Sequence, residues 1–193
     1  MLHEKLHPYQ IILASKSPRR EQLLKGLDIP FIINVKEVAE EFPPHLKKEE
    51  IALYLAELKA AAYETEIDEK TLVITADTIV WINNTLLNKP KDYADAVSIL
   101  NQLSGNMHEV ITGVCLKTKN KTKSFYALTK VYFRTLTPQE IDYYISKYQP
   151  YDKAGAYGAQ EWIGYTAIEK IEGSYFNVMG LPTRLLYEEL MRF

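Results

Sequence analysis

The sequence predicts an α/β protein, one domain with two lobes, its strands threading between helices. Three observations lead there. Apolar, β-rich runs (Ile11–Ala14, Thr71–Ala76, His108–Leu116, Ser124–Arg134) alternate with stretches whose apolar residues recur at helical spacing. The 193 residues suit one sizeable domain or two small lobes. No repeat, low-complexity tract or linker interrupts them.

Ile11–Ala14 reads as a buried strand running into Ser15-Lys16-Ser17-Pro18-Arg19-Arg20 and then a helix through Glu21–Leu27. Ser17 suits the N-cap and Pro18 the first helical position. Arg19 and Arg20 then fall in the first turn, where free N–H groups already carry partial positive charge, so cations are disfavoured there. A bound polyanion reverses that penalty; two solvated arginines are the plainer explanation.

Pro30–Val35 reads as a second strand, followed by an acidic, proline-bearing loop, Lys36–Pro44. Its carboxylates are either solvated or metal-binding. Lys48–Tyr63 is predicted helical, with Ile51, Leu55, Leu58 and Ala62 on one face. Lys59 lies beside that face, either snorkelling or directing its ammonium into a cleft.

Thr71–Ala76 is predicted to be a central strand that leads through Asp77-Thr78 into a second β run, Ile79–Ile82. A carboxylate between two apolar runs is costly to bury alone, so Asp77 requires a cation, a backbone N–H pair or a metal. A metal or substrate role is favoured over a structural turn aspartate. Asn83-Asn84 signals a hairpin turn, and Lys89, 12 residues past Asp77, returns near the hairpin's beginning. Asp92 caps a helix with Ala96, Val97, Leu100 and Leu103 inward, ended by Ser104-Gly105.

His108–Leu116 and Ser124–Arg134 form a hairpin with its tip at Lys117–Lys123. Thr137 and Glu140 form a capping box with Pro138 at the first position, opening a helix that turns Ile141, Tyr144, Ile145 and Tyr148 inward. Pro150–Gly158 is a glycine-bearing loop, able to approach a ligand or to serve as a plain turn. The Gln160 amide offers a donor and an acceptor, which suits a base edge. Trp162–Ile171 reads as β, and Pro182 starts a last helix carrying Leu185, Leu186 and Leu190.

Composition narrows function. A net charge of −2 argues against a nucleic-acid or anionic-membrane binder, so any positive site is local. No apolar stretch is long enough to span a membrane and no secretory signal is visible, which points to the cytoplasm. The single cysteine, Cys115, reads as a packed thiol, and the four histidines lack metal-ligand spacing.

Together these residues resemble the Maf family of nucleoside triphosphate pyrophosphatases. Ser15–Arg20 looks like its Ser-x-Ser-Pro-Arg-Arg signature and Ala76-Asp77-Thr78 like its Ala-Asp-Thr element. Lys89-Pro90, Leu103-Ser104-Gly105, Asp152–Gly158 and Gly180-Leu181-Pro182 also match, in order, across about Ile11 to Leu190. The resemblance implies a single Maf-like domain over residues 1–193: a two-lobed α/β fold with an elongated mixed sheet flanked by helices. That fold is similar to inosine triphosphate pyrophosphatases, with an active-site cleft between lobes.

Thr78 and Gln160 look like the branch that hydrolyses dTTP and UTP, and some modified pyrimidine triphosphates, to the monophosphate and pyrophosphate. The implied roles are Asp77 as proton acceptor, with Lys59 and Lys89 at the phosphates. Ser15, Ser17, Arg19 and Arg20 bind substrate, and Arg19, Thr78 and Gln160 set base choice. Asp77 and Glu40 hold a divalent cation, Mg2+ or Mn2+, with Glu37 and Glu41 as other candidates for the loop acid. The family also implies a homodimer. A nucleotide-binding regulator of septum formation with little turnover is the rival reading.

Overall fold

The computed structural model describes residues 1–193. In chain order its elements begin with α1 (Leu2–Leu6), β1 (Gln10–Leu13), α2 (Pro18–Lys25), β2 (Ile32–Ile33) and α3 (Glu49–Ala61). Next come β3 (Thr71–Ile82), β4 (Thr85–Leu87), α4 (Tyr93–Leu103), β5 (Met107–Lys117), β6 (Thr122–Phe133) and α5 (Pro138–Tyr148). The last are α6 (Trp162–Ala167), β7 (Ile168–Glu172), α7 (Tyr175–Val178) and α8 (Thr183–Arg192). The seven strands form one sheet in the order β2-β1-β3-β5-β6-β7, with β4 also paired to β3. The sheet is mixed: β1 is parallel to β2 and β3, whereas β3–β4 and β6–β7 are antiparallel. This is the α/β architecture the sequence predicts.

The chain folds as two compact units, one of residues 1–77, 112–127 and 180–193 and the other of 78–111 and 128–179. In the first, β1 and β3 pair from Gln10↔Thr71 to Leu13↔Ile74. A parallel pair needs a crossover, and α3 lies within it. This helix approaches the sheet closely because small residues face it. A Cβ on Gly113 of β5 would stand 2.4 Å from the Ala52 carbonyl, and Ala56 and Ala60 pack with buried Cys115. Thr75 donates from its hydroxyl to the Ala56 carbonyl at 2.6 Å. Tyr63, just past the helix, donates to the Asn34 carbonyl at 2.6 Å and accepts from the Lys36 N–H at 3.1 Å. These two bonds pin the start of the acidic loop.

The second unit surrounds one apolar core, to which Val80, Ile82, Leu87, Leu100, Leu103, Phe133, Tyr144 and Ile145 contribute. Burying each such side chain stabilises the fold by roughly 1.5–3 kcal/mol. Asn83 and Asn84 turn the β3–β4 hairpin with φ of 48° and 60°, the paired positive values of a type I′ turn. His108 is fully buried with Nε2 2.8 Å from the Tyr157 hydroxyl, and burial lowers its pKa to about 3. The imidazole is therefore neutral.

Three sequence expectations are corrected. Thr71–Ala76 and Ile79–Ile82 are one continuous strand, because Asp77-Thr78 does not break the pairing geometry. Only Ile32 and Ile33 of Pro30–Val35 pair with β1. Trp162–Ile171 is helix and then strand: Ile163 and Ala167, four apart, are buried on one helical face. Gly164 permits that helix, since a Cβ there would lie 1.9 Å from the Ala159 carbonyl oxygen. The amino-terminal stretch is also helical, with Leu2 and Leu6 buried four residues apart.

Candidate active site

The helix start forms as its sequence dictates. Ser17 has extended backbone angles, its hydroxyl accepts from the Arg20 N–H at 3.5 Å, and Pro18 opens α2. The Ser17 N–H donates to the Ser15 hydroxyl at 3.2 Å. Arg20 is pinned: its Nε donates to the Gly180 carbonyl at 2.8 Å and an Nη to the Ser15 hydroxyl at 3.5 Å. Burial works against its charge, while the carboxylates of Asp77 and Glu40 favour it. Arg19 is half-buried beside it. Lys16 turns outward to Glu37 at 2.6 Å, both side chains exposed.

The chemistry concentrates at the end of α3. The Lys59 ammonium lies 2.5 Å from Asp77 Oδ1 and 2.9 Å from Glu40 Oε1. Its side chain is 15% exposed and that of Asp77 12%, whereas Glu40 is 47% exposed. Thr75 and Asp77, two apart on β3, both engage α3, as strand alternation requires. Asp77 thus has the cation partner its burial demands, and Lys59 directs its ammonium inward rather than snorkelling. Of the three loop acids, Glu40 reaches Lys59 and Glu37 is taken up by Lys16. Two acid oxygens within 3 Å of one ammonium mark a point suited to a cation. No three His, Cys, Asp or Glu side chains are grouped so that they alone could hold a metal ion.

Thr78, Lys89 and Gln160 belong to the second unit. Thr78 follows Asp77 on β3 and is half-buried. Lys89 is exposed and lies two residues past the end of β4 at Leu87. The Asn88 carbonyl accepts from the Gly155 N–H at 3.3 Å. Gly155 has φ +71°, and a Cβ there would stand 2.9 Å from Val80, so the loop requires glycine. Gln160 is half-buried, and its amide oxygen is buried without a hydrogen-bond partner.

Sequence reasoning missed the groups that surround Gln160. Tyr144, read as core, accepts from the Gly158 N–H at 3.0 Å and donates to the Glu161 carboxylate. Burial and that carboxylate push the phenol pKa far upward, so the hydroxyl keeps its proton. Glu161 also meets the Lys153 ammonium at 3.2 Å. The available signal was general: a buried tyrosine hydroxyl needs a partner.

An α/β protein with arginines at a helix start and a lysine clamped between two carboxylates is equipped for a ligand carrying both anionic groups and a cation. The chain belongs to the Maf family: the family model described as Maf-like protein matches residues 10–193. A dTTP/UTP pyrophosphatase of Flavobacterium johnsoniae is 54% identical over 190 residues, covering 98% of both chains. One of Porphyromonas gingivalis is 50% identical over 193 residues, covering 98% of this chain and 97% of that one. Among solved structures, the Ham1 protein of Staphylococcus aureus is similar over 64% of this chain and 71% of that one, with 17% identity and a TM-score of 0.43. No helix is long and apolar enough to cross a membrane.

Proposed function

We propose that this chain hydrolyses dTTP and UTP, and some modified pyrimidine triphosphates, between the α- and β-phosphates, releasing the nucleoside monophosphate and pyrophosphate. The structural observation behind this reading is the Lys59 ammonium held by Asp77 and Glu40. The names of relatives 54% and 50% identical over nearly their whole length support it.

A divalent cation, Mg2+ or Mn2+, fits the donors present. Magnesium takes one or two carboxylates and completes its shell with water and phosphate oxygens, and Asp77 and Glu40 already converge on one cation. When bound, such an ion neutralises phosphate charge and lowers the pKa of a water. Asp77 accepts the proton of the attacking water. Lys59, on leaving the carboxylates, and Lys89 supply positive charge to the phosphates. Arg19 contacts substrate and contributes to base choice. Arg20 is held by Gly180 and Ser15, so it fixes the loop while adding its charge. The Ser17 hydroxyl caps α2, so with Ser15 it shapes the turn that offers backbone N–H groups to phosphate.

Base choice lies with Thr78 and Gln160. Uracil and thymine present an N3–H donor beside an O4 acceptor. The Gln160 amide is complementary, and its buried oxygen lacks a donor. In the same reading the chain acts as a single domain, as a homodimer, in the cytoplasm.

The test is a nucleotide panel incubated with the purified protein and Mg2+, with pyrophosphate resolved from orthophosphate. Pyrophosphate from dTTP and UTP is expected. Orthophosphate would move the cleaved bond, and tight binding without turnover would establish the regulator instead.

A further inference from the structure

We infer that Tyr144, acting with Glu161 and Lys153, is a positioning residue for base selectivity, because it fixes the Gly158–Glu161 turn that carries Gln160. The inference rests on Gln160 reading the base.

The turn closes with a bond from the Glu161 N–H to the Gly158 carbonyl at 3.0 Å. Its residues are then tied from several sides. The Gly158 N–H donates to the Tyr144 hydroxyl at 3.0 Å, and that hydroxyl donates to Glu161 Oε2. Glu161 Oε1 receives the Lys153 ammonium at 3.2 Å, which also meets Asp152 at 2.7 Å. The Ala159 carbonyl accepts from the Tyr175 hydroxyl at 3.3 Å. Gly158 leaves room for this arrangement: a Cβ there would lie 2.8 Å from the Glu161 carboxyl carbon and 3.0 Å from Gln160 Nε2. Within this braced turn, the Gln160 amide oxygen is left without a partner.

Packing alone does not require these polar groups. Tyr144 is fully buried in the apolar core, where a phenylalanine would occupy nearly the same volume. Lys153 is only 8% exposed, and a buried ammonium–carboxylate pair is weak evidence of stabilisation because desolvation offsets its attraction. What the hydroxyl and the ion pair supply is a single turn geometry, the characteristic yield of a satisfied buried network. A base edge is read by two hydrogen bonds at once, so a turn free to shift would weaken discrimination before it weakened phosphate chemistry.

The experiment compares the parent with Tyr144→Phe, Glu161→Gln, Gln160→Ala and the Tyr144→Phe/Gln160→Ala pair. Steady-state rates are measured on dTTP and on dCTP, whose base edge presents the opposite pattern at positions 3 and 4. Tyr144→Phe is expected to reduce the dTTP-over-dCTP ratio of kcat/KM roughly tenfold, mainly through KM for dTTP. Glu161→Gln should act in the same direction. In the Gln160→Ala background, Tyr144→Phe should change the ratio no further. A parent-like ratio in both single variants, alongside an altered ratio in Gln160→Ala, overturns the positioning role; so does an undiminished Tyr144→Phe effect in the double variant. An unchanged ratio in Gln160→Ala sinks the base-reading assignment itself, and the inference with it. Should Tyr144→Phe fold poorly, Glu161→Gln, which removes no atoms from the core, decides the matter by the same ratio.

Discussion

Replacing Lys59 with methionine keeps most of the stem's volume and removes the ammonium. The two carboxylates it contacts, at 2.5 and 2.9 Å, are then left facing one another without a cation. Charges so close interact by more than about 4 kcal/mol at an effective dielectric near 20, but desolvation returns much of that. Breaking the nearly buried Asp77 contact should cost about 3 kcal/mol. The half-exposed Glu40 contact adds at most about 1 kcal/mol. The variant should therefore melt well below the parent in chelator. A divalent ion should recover most of the loss, because the pair has lost its internal competitor. At a Mn2+ concentration 100 times Kd, that recovery is about 2.7 kcal/mol. Mn2+ binding without nucleotide, followed by electron paramagnetic resonance, should tighten roughly tenfold through the change in local charge. Turnover should fall. If Mn2+ binds the variant no more tightly than the parent and leaves its melting temperature unmoved, Lys59 does not mark the cation site.

Asp77→Asn should lower pyrophosphate release by roughly 10²–10⁴-fold, as loss of a general base does. Near-parent turnover would remove Asp77 from the chemistry. Gly113→Ala places a methyl group 2.4 Å from the Ala52 carbonyl, so it should destabilise by about 3 kcal/mol, read from urea midpoints. A parent-like midpoint would show that α3 is not held against the sheet there. The Glu140 carboxylate accepts hydrogen bonds from Arg134 and from the Thr137 N–H, which lower its pKa from 4.5 to about 2. A depressed carboxylate stabilises above the unfolded value and loses that contribution as pH falls through the folded one. The melting deficit of Glu140→Gln should thus be full at pH 7, shrink below about 4.5 and vanish near 2; a deficit constant with pH would refute the linkage.

How far the sequence could be read depended on how local each cause was. Asp77 was legible because an acid between apolar runs demands a partner, and Lys59 because its position beside the apolar face of α3 follows from helical spacing. The Asn83-Asn84 turn was legible from backbone chemistry alone. The α6 segment was not, since its tryptophan, isoleucine and tyrosine favour strands, while its helix depends on Gly164 fitting against the Ala159 carbonyl, a steric demand that residue periodicity does not register. Leu2 and Leu6 were masked by the polar residues between them. The choice among Glu37, Glu40 and Glu41 was beyond reach, because an aperiodic loop takes its path from Tyr63, which lies in another segment. The Tyr144–Glu161 contact spans 17 residues and involves a hydroxyl, which hydrophobic periodicity does not register.

The seating of α3 on Gly113 also bears on timing. With the helix backbone against the sheet and Ala56 tied through Thr75, the mount of Lys59 has no room to pivot. Any transfer of its ammonium from the carboxylates to a phosphate must then occur by rotation about the lysine's own four-carbon stem. Side-chain rotation is far faster than domain or helix displacement, which occupies microseconds to milliseconds. Readying this site for a metal-bound nucleotide should therefore not be what limits its turnover.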